Sequence, residues 1–261
     1  MNNKILVGSL QYSPIYKSHC CALGRQAELQ GYDVLFLFSK SYKLLINEDI
    51  QRKTHFIGNS KGLMSSLIDG LNPINTYKIF KMLKEDKPDY IYMYNIHPIF
   101  NYIISKLAKR YHCKFIQHVH EPYSENKKIY GTFSPYILYF FEKIQESIIL
   151  NSPKVVISSQ RAEKLFKKRY GNFQGNLIKI PLLYEDLGGN LSNQKKGELI
   201  TFIGPLIPVK NPKLFFKLIE YCEEKSLNYK FQLISRVKKD CNNINYKNLE
   251  ALCDDKISDE R

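Results

Sequence analysis

The sequence predicts an α/β protein: a doubly wound, Rossmann-like parallel sheet, followed by the opening of a second sheet of the same kind. Three observations predict it. Short apolar runs alternate with segments of helical periodicity from residue 4 onward, and such alternation implies βαβ units with strands buried on both faces. A polar Gly- and Asn-rich stretch without periodicity, residues 184–197 (YEDLGGNLSNQKKG), interrupts the pattern, which then restarts. The length, 261 residues, exceeds one typical domain and falls short of two. The expected division is a complete domain over 1–183, a linker over 184–197 and an incomplete second domain over 198–261.

Each element has its own signal. Lys4–Leu10 (KILVGSL) is the first apolar run and the first strand. Ser18–Gln30 carries apolar residues at helical spacing and ends at Gly31, where a left-handed C-terminal cap is expected. Asp33–Phe38 (DVLFLF) is a second buried strand. Thr76–Glu85 reads as a helix stopped by Lys87-Pro88, and Tyr90–Tyr94 (YIYMY) as a strand. Pro98–Arg110 is a helix, Lys114–His118 a strand, Pro135–Leu150 a helix, Lys154–Ser158 a strand and Ser159–Tyr170 a helix. Leu177–Ile180 is a short strand closed by Pro181. After the linker, Leu199–Ile203 is a strand, Gly204–Lys210 a loop, Pro212–Lys225 a helix and Lys230–Ile234 a strand. Beyond Arg236 the chain turns polar.

Composition excludes several classes. The formal net charge is +14, from 39 Lys+Arg against 25 Asp+Glu. The charge is spread over both halves, and 32 of the basic residues are Lys and only 7 Arg. Reading of phosphates and base edges in nucleic acid favours Arg, so no nucleic-acid partner is expected. A basic face for an anionic membrane surface is retained as an expectation, together with the aromatic run Ile129–Phe141, which suits a membrane interface. The six cysteines are scattered and form no CxxC pair, which fits reduced thiols and a cytoplasmic protein, peripheral at most at the inner face of the cell membrane. No zinc-type spacing of Cys and His occurs, so no metal is expected. No GxSxG, HExxH or Walker loop is present.

In a doubly wound sheet the ligand sits beyond the carboxyl ends of the strands, so the residues just after each strand carry the information. The strand at 114–118 runs into QHVHEPY, which places His118, His120 and Glu121 at such an end. Two imidazoles and a carboxylate there form a candidate binding or acid–base constellation. Ser9 opens the first βα loop, which lacks GxGxxG and so is not a dinucleotide fingerprint. Asn95 follows Tyr90–Tyr94, either on the same rim or as the cap of the next helix. In the second domain FIGPLIPVKNP places Gly204 at a strand end and Lys210 just before a helix that begins at Pro212, with Asn211 as its N-cap. A lysine beside a helix N-terminus is an anion site.

Taken in order, QGYDVLFLF, KPDYIYMYN, KFIQHVHEP, KVVISSQRAEKLFKKRYG with IKIPLLYE, and ITFIGPLIPVKNPKLFFKLIE resemble the corresponding passages of family 4 glycosyltransferases of the GT-B fold, over roughly residues 4–236. The resemblance implies an acceptor-type first domain and a donor-type, nucleotide-sugar second domain. It implies that His120 is the active-site histidine against the donor sugar and that Lys210 binds the donor diphosphate. Gly204, His118, Glu121, Ser9 and Asn95 then complete the substrate-binding set. It implies transfer of a sugar from a UDP- or GDP-linked donor to a cell-surface polysaccharide or lipid-linked oligosaccharide, with retention of configuration and no cofactor besides the donor. Two departures accompany it. Pro205 stands where the family commonly has Arg, and no Glu-x7-Glu pair follows Arg236. The tail NYKNLEALCDDKISDER resembles the passage that precedes that pair. The alternative expectation is therefore a catalytically incomplete subunit that needs a complementing chain.

Overall fold

The computed structural model describes residues 3–10, 14–59, 68–95, 97–119, 135–181, 183, 199–203, 206, 211–235 and 245–253. The chain divides into two compact units, Met1–Asp186 and Leu187–Arg261.

The first unit holds seven parallel strands: β1 (Lys4–Ser9), β2 (Asp33–Phe38), β3 (Thr54–Phe56), β4 (Tyr90–Tyr94), β5 (Lys114–Val119), β6 (Lys154–Ile157) and β7 (Asn176–Lys179). Their order is β3-β2-β1-β4-β5-β6-β7. The chain first winds outward from β1 to β3, then returns to the other side of β1 and winds outward to β7. The direction of winding therefore reverses between β1 and β4, and a crevice opens at such a point above the carboxyl ends. The strands are in register pairs such as Val7 with Tyr92 and Tyr94 with His118.

The helices are α1 (Pro14–Leu29), the one-turn α2 (Glu48–Gln51), α3 (Pro73–Asp86), α4 (Pro98–Arg110), α5 (Pro135–Leu150) and α6 (Gln160–Arg169), with a 3-10 turn at Lys40–Leu45. Because βαβ crossovers are right-handed, reversing the winding also moves the helices to the opposite face. Alternate residues of each strand record this. Leu6, Ile91, Met93, Phe115, Val119, Val155 and Ile157 pack with Ile79 of α3, Phe100 and Ile104 of α4, Phe141 of α5 and Phe166 of α6. Val7, Phe36, Tyr92, Tyr94 and Val156 pack on the other face with Cys20 and Cys21 of α1 and with Tyr42, Ile46 and Ile50. Each large apolar side chain so buried contributes about 1.5–3 kcal/mol.

Helix ends follow backbone chemistry. Gly31, with φ of +85°, closes α1: its N–H bonds the Glu28 carbonyl and the Tyr32 N–H bonds that of Ala27, the Schellman pattern expected at this glycine. The same pattern closes α4 with His112 at φ +58°. Ser159 caps α6, accepting from the Ala162 N–H at 3.1 Å. Some boundaries differ from the sequence reading: α1 begins four residues early, at Pro14, and β5 runs on to Val119. The edge strand β3 is three residues long, too short to show a period.

The second unit contains β8 (Leu199–Ile203), α7 (Pro212–Glu224), β9 (Lys230–Ser235) and β10 (Leu249–Cys253), with parallel strands in the order β10-β9-β8. Phe215, Ile219 and Cys222 at helical spacing pack on Phe231 and Leu233 of β9. The polar stretch after Arg236 thus contains a further parallel strand, LEALC, which the sequence reading passed over. Asn211 does stand before α7, but in a left-handed conformation (φ 48°, ψ 54°) and without a side-chain cap bond.

Two stability predictions follow from packing and charge. A Cβ on Gly8 would overlap the Leu37 carbonyl oxygen and lie 2.8 Å from the Leu37 Cβ. Gly8→Ala forces β1 and β2 apart and should cost about 3 kcal/mol in urea unfolding. Glu163 receives hydrogen bonds from Lys167 (2.7 Å) and from Lys179 on β7 (2.9 Å), which lower its pKa from 4.5 to about 2. Its stabilising effect is full above pH 4.5 and is lost as pH falls through about 2. Glu163→Gln should therefore narrow the difference in urea midpoint between neutral and acid pH, relative to wild type.

Candidate functional site

The carboxyl ends of β1, β4, β5 and β6 carry Ser9, Asn95, His118 and Ser158. Ser9 is the last residue of β1 and is fully buried. Its neighbour Gly8 is in register with Met93, so Ser9 and Asn95 flank the point where the winding reverses. His120, Glu121, Gly204 and Lys210 lie outside the described residues.

Asn95 adopts φ +57° directly after β4. The left-handed region is accessible to Asn at modest cost, and three bonds hold it there. Its carbonyl accepts from Gln117 Nε2 (3.0 Å) and from Asn101 Nδ2 (2.8 Å), and its own Nδ2 donates to the Tyr16 hydroxyl (2.8 Å). Asn95 is thus a rim residue; the cap of α4 is His97, whose Nδ1 accepts from the Phe100 N–H at 3.2 Å. Gln117 is buried on the α4 face and its amide spans the carbonyls of Met93, Asn95 and His118 at 2.9–3.0 Å. Its Oε1 accepts from Asn101 Nδ2 at 2.9 Å. One glutamine therefore ties the ends of β4 and β5 together. Sequence reasoning missed Gln117 and Asn101; a polar residue amid the apolar run KFIQHV was the available signal.

On the opposite face of β5, His118 is also fully buried. Its ring bonds the Tyr92 hydroxyl through Nδ1 and Ser158 Oγ through Nε2 at 2.8 Å. His19 of α1, equally buried, approaches the Tyr92 hydroxyl through Nε2 at 2.9 Å, and its Nδ1 accepts from the Leu183 N–H at 3.0 Å. The Tyr94 ring packs against both imidazoles, 4.4 Å from His19 and 4.5 Å from His118 between centroids, and the two imidazoles meet edge to face at 5.0 Å. Burial pushes the Tyr92 hydroxyl well above its ordinary pKa, so it stays protonated. Burial likewise pushes up the thiol of Cys20, and Cys20, Cys21, Cys113 and Cys222 are free, buried thiols. Among the described residues no group of three His, Cys, Asp or Glu is placed to hold a metal ion.

Away from this rim, an apolar hollow of about 480 Å³ lies between α3 and α4, lined among others by Tyr77, Phe80 and Leu107. On α5, Tyr136, Tyr139 and Phe140 are exposed while Phe141 is buried. Residues 129–134 of that aromatic run lie outside the described residues. No helix among the described residues is long and apolar enough to cross a membrane.

No protein-family model and no curated sequence matches the chain. Solved structures do. Sucrose-phosphate synthase from Thermosynechococcus elongatus superposes with a TM-score of 0.62 at 11% identity, covering 97% of this chain and 71% of that one. The fold is GT-B-like. A UGT from Glycyrrhiza uralensis, solved with glycyrrhetinic acid 3-O-monoglucuronide, gives 0.58 at 12% identity over 92% of this chain, which spans 64% of the length of that structure. A Listeria monocytogenes protein titled UDP-N-acetylglucosamine 2-epimerase gives 0.60 at 8% identity, covering 97% of this chain and 69% of that one. A shared fold alone does not choose between chemistries.

Gln117 is the part of this site most exposed to a stability test. Gln117→Leu leaves the Met93, Asn95 and His118 carbonyls without the amide and should cost about 2–3 kcal/mol by chemical denaturation. Gln117→Glu, which sets a carboxylate against the same carbonyls, should cost more.

Proposed function

We propose that this chain is a glycosyltransferase, of the family 4 kind, that moves a sugar from a UDP- or GDP-linked donor to a polysaccharide or lipid-linked acceptor with retention of configuration. The observation that carries this reading is the GT-B-like fold, with a polar rim gathered where the winding of the first sheet reverses. The first unit is the acceptor side in this reading and the second unit the donor side. In this reading His120, one residue past β5 in the sequence, meets the donor sugar, and His118, Glu121, Ser9 and Asn95 take part in substrate binding. Lys210 and Gly204, ahead of α7, receive the diphosphate. The leaving nucleoside diphosphate gains negative charge as the glycosidic bond breaks. A lysine beside a helix N-terminus stabilises that charge without a metal, provided it is fixed in place before the reaction.

The test is calorimetric titration of the full chain with UDP- and GDP-sugars, followed by mass measurement of sugar transferred to candidate acceptors. Binding of one base class in the micromolar-to-millimolar range is expected (about 1 μM to 1 mM). Lys210→Ala should weaken it at least about tenfold, the loss of one charge-assisted contact. His120→Ala should abolish transfer while leaving nucleotide binding. Binding that appears only when a second chain is added would support the incomplete-subunit alternative instead. Absence of any nucleotide binding, with or without a partner chain, would refute both.

We propose also that the exposed aromatic face of α5 meets an anionic membrane at the inner face of the cell. Lys143 stands 5.7 Å above the Tyr139 ring and pairs with Glu146 at 2.8 Å, so the attraction to an anionic surface rests on the net charge of +14 of the whole chain. Sedimentation with phosphatidylglycerol vesicles should retain the protein at low salt and release it at high salt. Tyr139→Ser with Phe140→Ser should abolish retention.

A further inference from the structure

The chain of hydrogen bonds from Leu183 to Ser158 has a fixed direction. A backbone N–H only donates, so His19 Nδ1, which receives the Leu183 N–H at 3.0 Å, carries no proton. In the neutral ring the proton is then on Nε2, and it is donated to the Tyr92 oxygen at 2.9 Å. Tyr92 has one hydrogen, and among the described residues its hydroxyl has two partners, His19 and His118. The hydrogen therefore goes to His118 Nδ1. The reverse, with His118 donating from Nδ1, leaves a fully buried hydroxyl hydrogen with no acceptor, which is the costly arrangement. His118 then holds its proton on Nε2 and donates it to Ser158 Oγ at 2.8 Å. The Ser158 hydroxyl accepts from His118 and makes no other hydrogen bond among the described residues. It is half-buried at the carboxyl end of β6, and no acceptor for its own hydrogen stands among the described residues.

We infer that His19, Tyr92 and His118 are positioning residues that orient the Ser158 hydroxyl as a hydrogen-bond donor to an oxygen of the bound substrate, a sugar hydroxyl or a phosphate oxygen. Three buried groups are each used as donor and acceptor at once, and polarised chains of this kind strengthen their terminal donor. The choice of a sugar or phosphate oxygen rests on the transferase reading above; the proton assignment stands without it.

Long-range proton–nitrogen NMR of the histidine rings in the full chain reads the assignment directly. At about pH 8 both His19 and His118 should be neutral Nε2–H tautomers. A proton on Nδ1 of either ring overturns the relay. Tyr92→Phe should release His118 into tautomer exchange. Ser158→Ala, at the half-buried end where folding is least at risk, removes the acceptor of the His118 Nε2 proton; it should shift the Nε2–H signal while Nδ1 stays unprotonated, which keeps the test decisive if Tyr92→Phe fails to fold. An unchanged His118 spectrum in Ser158→Ala refutes the relay. Inorganic pyrophosphate and methyl glucoside then serve as separate probes. Either one should shift the His118 Nε2 signal in wild type and leave it unmoved in Ser158→Ala. Pyrophosphate alone identifies a phosphate oxygen and the glucoside alone a sugar oxygen. No shift with either, while the tautomers are as assigned, refutes the donor role of Ser158 without touching the transferase reading. Absent sugar transfer with the shifts present refutes the transferase reading alone.

Discussion

Parallel strands cannot be joined by tight turns, and each connection must cross a face of the sheet before the next strand begins. Most of this structure follows from that constraint. Every crossover puts a helix on one face, and both faces are therefore dry. Every strand points the same way, and all the carboxyl ends of the first unit fall on one edge. Reversal of the winding between β1 and β4 puts α1 on one face and α3 to α6 on the other. The edge above β1 and β4 is then the place where no crossover closes the gap.

Polar side chains close to that edge answer a second requirement, that buried donors and acceptors be paired. Gln117 and His118 are neighbours on β5 and so face opposite sides of the sheet. Gln117 binds backbone carbonyls on the α4 side and fixes Asn95. His118 joins α1 to β6 through side chains on the other. A single strand end thus anchors two independent polar clusters, and the stretch that contains His120 begins just after it.

The sequence carried the architecture more fully than the chemistry. DVLFLF, YIYMY and KVVIS announce buried parallel strands because no face of such a strand is polar. THF and LEALC do not, since three to five residues between polar neighbours show no period. Gly31 marked its own turn, whereas His112 and Ser226 close helices in the same left-handed geometry without a sequence signature. At the rim, the position of His118 was legible but its partners were not. His19 lies 99 positions upstream and Tyr92 26, and only the register of β4 beside β5 brings them together. The QHVHEPY motif read as two imidazoles and a carboxylate at a strand end, and the first imidazole, His118, is buried on the α1 face.

The Leu183 amide has a consequence for where acid–base chemistry resides. A hydrogen-bonded string whose polarity is pinned at one end by a peptide group cannot pass a proton along and reset. Reversal would require every link to rotate together and would leave the amide facing another donor. His118 is therefore insulated from proton traffic despite its central place. The structure behaves there as a fixed dipole rather than a wire. A proton exchanged at this rim would have to travel on groups outside this string.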